Sequence, residues 1–236
     1  MIGWAMTPAT MRSPFAELKR KLAEIAAAGF DAVEIPIDAA PTVPVSALRE
    51  VVEALGLTLS ARMTGNRFGV SASHAFGVAR DLGCSLLVAD TLEAREHHRW
   101  HDASQESGVT LVLDAASLDG CDPNCGFQTK VLVELGITND ARRSGSALLR
   151  AAGERLGCVR LVPAGDGAGG ASSLLERDWA AALAGCVYAG PIICSGGAQL
   201  QASSGDLTAA RRLLRWTEKI EWELSFQLHN YGVMMQ

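Results

Sequence analysis

The sequence predicts a single (β/α)8 barrel domain spanning residues 1–236, and three observations lead to that fold class. One phrase recurs: a glycine, a short apolar run and then a charged residue, most clearly in Gly108–Asp114 (GVTLVLD). The glycines at positions 29, 56 and 83 that open it are 27 residues apart, and the glycine at position 108 follows after 25. Amphipathic helical segments fill the intervals between them. A helix that ends at glycine and leads into a buried strand is one β/α unit, so the phrase marks a repeated unit.

Eight apolar segments are predicted to be strands, and they alternate with helices along the chain. They are Ile2–Ala5, Ala32–Pro36, Thr58–Arg62, Ser85–Ala89, Val109–Leu113, Lys130–Glu134, Cys158–Val162 and Val187–Cys194. The runner-up fold is an open doubly wound sheet. Neither GxGxxG after the first strand nor GxxxxGK[ST] is present, which favours the barrel.

The helices follow from apolar residues at helical spacing. The first is expected to begin at Ser13-Pro14, with serine as the N-cap, and to end at Gly29; residues 7–12 are expected to be a loop. The others are predicted at Ser46–Leu55, Ala72–Leu82, Leu92–Ser107, Ser146–Leu156, Leu174–Ala184 and Asp206–Leu228. Residues Ala115–Thr129 lack an amphipathic period, so the fifth helix is predicted to be short or missing.

The long C-terminal helix and the tail carry three aromatic residues, namely Trp222, Phe226 and Tyr231. They would either cap the barrel floor or contact a second copy or a partner protein, since aromatic residues are enriched at interfaces. The sequence leaves both interpretations open.

Composition limits the partners and the compartment. The net charge is −5 without a basic stripe, which argues against nucleic acid. No signal peptide pattern and no apolar run of about 18 residues are present, so we expect a cytoplasmic protein without a membrane segment. Cys84, Cys158 and Cys194 fall in or beside predicted strands as small apolar residues. Cys121 and Cys125 lack a second pair at zinc-site spacing, so free thiols are favoured and a bridge between these two is the alternative.

The active site of such a barrel lies at the carboxyl ends of its strands. The residues there are Trp4 or Met6, Glu34, Arg62, Asp90, Asp114, Glu134, Arg160 and Ser195. A ring this charged predicts a site for a polar ligand, although Asp90 is equally suited to cap the helix that follows it.

Asp114, Glu134 and Arg160 come from three consecutive strands, about 4.8 Å apart. An outward guanidinium would be buried beneath helices at high cost, so Arg160 is expected to point inward and pair with Glu134 or Asp114. Such a pair can be structural. Its position at the catalytic face favours a functional role.

Three further features are weaker candidates. His74 begins a helix and would either reach the site as an acid or base or remain a surface or capping residue. His97 and His101 have i, i+4 spacing without an HExxH frame, which indicates a solvated helix face. Asp166 lies in the glycine-rich segment 164–170, a candidate lid or phosphate loop that has no Lys or Arg beside it.

The chain resembles the xylose-isomerase-like superfamily of sugar phosphate isomerases and epimerases. The resemblance lies in KLAEIAAAGFDAVEIPID, LREVVEALGLTLSA, ARDLGCSLLVAD, SGVTLVLD and LLERDWAAALAGCVYAGPII. It covers nearly the whole chain and consists mostly of scaffold residues, so it implies the fold more than the reaction.

The resemblance also implies a divalent metal held by Glu, Asp, His and Glu at the ends of four late strands. Those positions correspond here to Asp114, Glu134, Arg160 and Ser195. Arginine cannot be a ligand, so the metal site is predicted to be lost and no cofactor is expected. Arg160 would instead hold a substrate carboxylate, enolate or phosphate, with Glu34, Asp114 or Glu134 as general base.

The predicted function is therefore a metal-independent isomerase or epimerase that removes a proton beside a carbonyl, or a related dehydration or cyclisation. Substrate-binding candidates are Trp4, Arg62, His74, Asp90, Asp166 and Ser195. One alternative is a catalytically silent barrel that serves as a binding or partner subunit. Another is a divalent-metal-dependent sugar isomerase that uses Asp114 and Glu134 with a shifted helper such as His74.

Overall fold

The computed structural model describes residues 1–39, 44–64, 70–90, 92–93, 96–114, 130–137, 141–163, 173–195 and 207–234. Its strands are β1 (Ile2–Ala5), β2 (Ala32–Pro36), β3 (Thr58–Met63), β4 (Leu86–Ala89), β5 (Thr110–Asp114), β6 (Lys130–Ile137), β7 (Leu156–Pro163) and β8 (Ile192–Ser195). They pair in chain order as a closed parallel barrel, which confirms the predicted fold class.

The helices of the described residues alternate with these strands. They are α1 (Pro8–Met11), α2 (Phe15–Ala28), α3 (Val45–Ala54), α4 (Ala72–Asp81), α5 (His97–Ser107), α6 (Ala141–Ala152), α7 (Ser173–Gly185) and α8 (Leu207–Met234). The segment 115–129, where a short or missing fifth helix is predicted, lies outside the described residues. None of the helices within the described ranges has the length and apolar character needed to cross a membrane.

Contacts divide the chain into two compact units. The N-terminal unit is residues Gly3–Leu132, and the C-terminal unit is Met1–Ile2 with Val133–Gln236. The single domain predicted for residues 1–236 stays a prediction.

The core of the N-terminal unit forms because its helices present apolar residues at i, i+4 spacing. Leu18 and Leu22 of α2 and Leu48 and Val52 of α3 are almost fully buried in one cluster with strand residues. Between α4 and α5, the rings of Phe76 and Trp100 meet edge to face, with centroids 5.8 Å apart.

The repeated glycine ends helices as predicted. Gly29 follows α2 with φ 101° and Gly108 follows α5 with φ 71°, both left-handed. The N–H of Gly29 donates to the carbonyl of Ala26, which satisfies a carbonyl at the end of α2. The chain then turns directly into a strand.

Two predictions near the amino terminus are wrong. Residues 7–12, predicted as a loop, contain α1, because the Thr7 hydroxyl accepts from Thr10 N at 3.1 Å and Pro8 occupies the first turn. Ser13 does not cap α2; the N-cap is Pro14, which makes no side-chain hydrogen bond.

Other boundaries differ by a few residues. β8 begins at Ile192 rather than Val187, because Val187 has φ 50° and the Tyr188 hydroxyl donates to the Pro191 carbonyl at 2.5 Å. This turn uses apolar residues, so periodicity alone assigns it to the strand. α5 begins at His97 rather than Leu92.

In the C-terminal unit, α8 packs against α7 and β8. Trp179 and Leu183 of α7 and Ile220 of α8 are each at most 1 % exposed. Cys194 Sγ lies 3.3 Å from Thr217 Oγ1, which joins β8 to α8. The Met1 ammonium contacts Glu221 at 2.8 Å and ties the start of the chain to α8.

Candidate active site

Alternation along the strands decides which side chains of the N-terminal unit face away from the helices. One apolar cluster contains both helix residues and the strand residues Val33, Ile35, Leu59, Ala61, Leu87, Ala89, Leu111 and Leu113. The intervening residues Glu34, Ser60 and Arg62 therefore lie on the opposite face. The β2–β3 register places Glu34 beside Ser60.

Arg62 near the end of β3 and Asp90 just after β4 form a charged group with Glu34, which lies in the middle of β2. Arg62 Nε donates to Asp90 Oδ2 at 2.7 Å, and Arg62 Nη2 lies 2.6 Å from the same oxygen. Arg62 Nε also lies 3.8 Å from Glu34 Oε1. The Glu34 side chain is 1 % exposed, whereas Arg62 is 21 % and Asp90 15 % exposed. The group therefore has a buried carboxylate and an accessible ion pair.

A second polar contact connects the segments after β2 and β3. Asp38 accepts from the Thr64 amide at 3.2 Å and from the Thr64 hydroxyl at 2.8 Å. This contact fixes the end of β3, which carries Arg62. Sequence reasoning missed both residues, because each follows its strand by one or two positions.

In the C-terminal unit, Arg160 of β7 lies near Glu134 of β6. Arg160 Nη1 is 3.8 Å from Glu134 Oε2, which is longer than a hydrogen bond. The Arg160 side chain is 1 % exposed and that of Glu134 is 49 % exposed. The two residues are therefore close, as predicted, and they form an electrostatic contact between a buried cation and an accessible carboxylate.

The direction of Arg160 follows from the β7–β8 register. Leu161 pairs with Cys194, whose thiol contacts α8, so these two face the helices. Arg160 and Ser195 are each one position away and lie on the opposite face. Ser195 is 9 % exposed and ends β8, as predicted.

The remaining predicted residues have separate locations. Asp114 ends β5 and is partly buried. His74 is exposed in the first turn of α4, where its amide donates to the Ser71 hydroxyl at 3.2 Å. Ser71 is therefore the N-cap of α4, and the role of the His74 side chain stays a prediction. Asp166 and its glycine-rich segment lie outside the described residues.

Trp4 lies in β1, and its assignment as a substrate-binding residue stays a prediction. The β1–β2 register pairs Trp4 with Val33, on the helix-facing side. Its ring packs against Phe30, with centroids 5.4 Å apart. Met6, the alternative at this strand end, belongs to the same apolar cluster as Val33.

The described cysteines are free thiols. Burial raises the pKa of Cys84 to about 12 and that of Cys194 to about 12. Both remain protonated near neutral pH and behave as small apolar residues, as predicted. Cys121 and Cys125 lie outside the described residues.

The residues present do not fit the divalent metal that the sequence resemblance implies. The buried Arg160 guanidinium stands where a histidine ligand is expected, and it offers only N–H donors. Its 3.8 Å approach to Glu134 places positive charge beside a carboxylate that would have to bind the ion. Within the described part of the chain, no three His, Cys, Asp or Glu side chains are grouped to hold a metal ion.

Sequence reasoning also missed Ser60. It lies in the middle of β3, is 3 % exposed, and its hydroxyl has no hydrogen-bond partner. Counting back two residues from Arg62 would have placed it on the same face. Its small polar side chain gave no other signal.

These features define a class: a closed eight-stranded parallel barrel with charged side chains at the carboxyl ends of its strands. The same fold occurs in L-ribulose 3-epimerase, at 18 % identity and a TM-score of 0.71, with 100 % of this chain and 98 % of that chain covered. D-allulose 3-epimerase from Methylomonas sp. matches at 18 % identity and a TM-score of 0.65, with coverage of 100 % and 97 %. A fusion of a xylose isomerase-like TIM barrel with 4-hydroxyphenylpyruvate dioxygenase matches at 14 % identity and a TM-score of 0.68, with 98 % of this chain and 44 % of that chain covered.

The predicted resemblance to xylose isomerase-like barrels is thus confirmed at the level of the fold, which is what similarity at these identities shows. No protein-family model matches the sequence, and the comparison with curated proteins gives no match. The reaction has to be argued from the site.

Proposed function

We propose that this protein is a metal-independent isomerase- or epimerase-like enzyme that removes a proton next to a carbonyl of a small polar metabolite. The proposal is supported by its structural neighbours, which include L-ribulose 3-epimerase and D-allulose 3-epimerase. It rests chiefly on one observation: the buried Arg160 guanidinium lies 3.8 Å from the accessible Glu134 carboxylate.

Glu134 is the general base in this proposal. Its side chain is half exposed and can meet a ligand, whereas Glu34 is 1 % exposed and already lies beside Arg62. Asp114, which ends β5 in the N-terminal unit, stays a base candidate on the sequence alone.

In this proposal, the Arg160 guanidinium supplies the positive charge that a divalent metal would supply in the site implied by the family resemblance. The base takes the α-proton, and the electron pair of the broken C–H bond forms the C=C bond of an enediolate. The carbonyl π electrons move to oxygen, where the Arg160 guanidinium stabilises the negative charge. Isomerisation follows when the proton returns to the neighbouring carbon and the hydroxyl proton passes to the other oxygen, so that the carbonyl changes place; return of the proton to the same carbon from the other face gives epimerisation.

Exchange of the α-proton in D2O tests this chemistry without knowledge of the product. Protein incubated with L-ribulose or D-allulose should incorporate deuterium beside the carbonyl, as measured by proton NMR. Glu134→Gln keeps the shape of the side chain and should abolish the exchange, while Glu106→Gln, on the outer helix α5, should not. Exchange by Glu134→Gln at the wild-type rate would remove Glu134 from the mechanism.

A second candidate function, a catalytically silent barrel that acts as a partner subunit, is favoured by the surface of α8. Trp222 is 68 % and Phe226 51 % exposed, and their rings stack with centroids 5.9 Å apart. Exposed aromatic pairs are typical of interfaces. Light scattering after size exclusion should then give a mass above 24.9 kDa that returns to one chain in Trp222→Ala/Phe226→Ala. Monomers in both cases leave this candidate without support.

Tyr231, predicted to join this surface, has a side chain outside the described residues.

The cytoplasm is proposed as the location, because the described cysteines are free thiols, as expected in a reducing compartment.

A further inference from the structure

Ser60 is an unusual residue for the middle of a barrel strand. Its side chain is 3 % exposed, and its hydroxyl makes no hydrogen bond. A buried hydroxyl without a partner costs free energy that an alanine would avoid. The buried hydroxyl of Ser104, also in the N-terminal unit, does have partners. It donates to the Val109 carbonyl at 2.7 Å and accepts from Leu111 N at 3.2 Å.

The surroundings of Ser60 are chemically complementary to it. Glu34 is its register partner on β2 and is 1 % exposed. Arg62 lies two residues further along β3 on the same face, nearer to the carboxyl end, where its guanidinium is held by Asp90. A hydroxyl that can donate or accept thus stands beside a carboxylate that only accepts, below an anchored cation.

We propose that Ser60 and Glu34 bind two neighbouring oxygen atoms of a hydroxylated ligand, in a subsite formed by β2, β3 and β4 within the N-terminal unit. Ser60 donates to one ligand oxygen, and Glu34 accepts from the hydroxyl on the adjacent carbon. The Arg62–Asp90 pair lies at the entrance because both side chains remain partly exposed. Ser60 is a specificity-determining residue of this subsite. The choice of a sugar as ligand rests on the proposed function; the subsite itself rests on the β2–β4 geometry.

Geometry supports two adjacent oxygens rather than one. Neighbouring strands lie about 4.8 Å apart, so side chains on paired positions can reach oxygen atoms on consecutive carbons. A ligand with a single hydroxyl would contact only one of Ser60 and Glu34. Specificity of this kind comes from leaving a buried polar group unpaired when the wrong ligand binds.

Binding of allitol and D-allulose, followed by isothermal titration calorimetry, tests the subsite. Allitol carries the hydroxyls but no carbonyl, so its binding is independent of turnover. Wild-type protein should bind both, and Ser60→Ala should weaken both by about three- to tenfold, the value of one neutral hydrogen bond. Ser104→Ala is the matched control: it should lower the melting temperature and leave binding unchanged, whereas Ser60→Ala should melt no lower than the wild type.

Two results would overturn the proposal. One is equal affinity of Ser60→Ala and wild type, which would mean that the Ser60 hydroxyl does not contact the ligand. The other is the absence of wild-type binding to both probes. Failure of the proposed function looks different: protein that binds allitol through Ser60 but does not exchange the α-proton of D-allulose retains the subsite and lacks the chemistry.

Discussion

Arg160 Nη1 lies 3.8 Å from Glu134 Oε2, across two neighbouring strands of the barrel. The cation is 1 % exposed and the carboxylate 49 % exposed, so the two groups differ in their access to solvent. A buried guanidinium is held in place by its surroundings, while the carboxylate beside it can meet a ligand. This asymmetry is what a fixed electrostatic group next to a proton acceptor requires.

Arg160→Met should inactivate or destabilise the protein. Methionine fills the buried volume without the charge, and loss of one such stabilising group costs about 100-fold or more in rate. α-Proton exchange and urea unfolding measure the two effects. Arg215→Met, at an exposed position of α8, is the control and should change neither. A fully active and equally stable Arg160→Met protein would contradict the assignment.

Asp90→Asn should destabilise the N-terminal unit. Two N–H groups of Arg62 are directed at one oxygen of Asp90, and hydrogen bonds to charged groups contribute about 1.5–3 kcal/mol. Urea unfolding should show a loss of that order. Asp81→Asn, which affects an ion pair with Arg80 whose side chains are both 62 % exposed, should be close to neutral. Similar effects for the two variants would mean that the Arg62–Asp90 contact is as weak as a surface pair.

Alkaline pH should destabilise the fold through its buried thiols. The pKa values of Cys84 and Cys194 rise from 9.0 to about 12, because burial disfavours the thiolate. Below pH 9 the two thiols stay protonated in both the folded and the unfolded protein, so they do not lower the free energy of unfolding. Above it the unfolded state ionises first, so stability falls up to about pH 12, by about 1.4 kcal/mol per pH unit for each thiol.

Urea unfolding at pH 8, 9, 10 and 10.5 measures this slope. Cys84→Ala/Cys194→Ala should flatten it and leave the part due to Tyr188, whose pKa is also raised well above 10.0 by burial. An identical slope in the double variant would show that the thiols titrate normally in the folded protein.

Gly108→Ala should destabilise the protein, whereas Gly77→Ala should stabilise it. Gly108 has φ 71°, which costs a residue with a Cβ about 1–2 kcal/mol. Gly77 lies inside α4 with nothing within 4 Å of an added Cβ, so alanine should gain about 0.5–1 kcal/mol there. Chemical unfolding of both variants gives the comparison. Equal stability would mean that the glycine after α5 is not required by its backbone conformation.

The barrel was predictable because its repeated unit is local. Gly29 and Gly108 end helices, and the apolar runs after them are strands, so each unit could be recognised within about 25 residues. The placement of Glu34 and Arg62 in β2 and β3 followed from the same local pattern.

The face of a side chain was harder to predict where a strand lacks polar alternation. Trp4 sits in IGWA, and only its pairing with Val33 reveals that it faces the helices. Val187 is apolar yet lies in a turn, because its backbone has φ 50°. Ser60 was missed because its significance depends on the neighbouring strand, which places it beside Glu34. The faces of Trp4 and Ser60 depend on strands that are distant in the sequence, whereas the Val187 turn is local and was missed because its residues are apolar.

The absence of a metal requirement is the central claim, and proton exchange before and after chelation tests it most directly. Protein dialysed against EDTA, with its metal content measured by mass spectrometry, is assayed for α-proton exchange on L-ribulose and D-allulose. We predict an unchanged rate with far less than one divalent ion per chain, because the buried Arg160 guanidinium stands where the family resemblance implies a ligand. One bound divalent ion per chain that is required for exchange would contradict it and would favour a metal-dependent isomerase using Asp114 and Glu134.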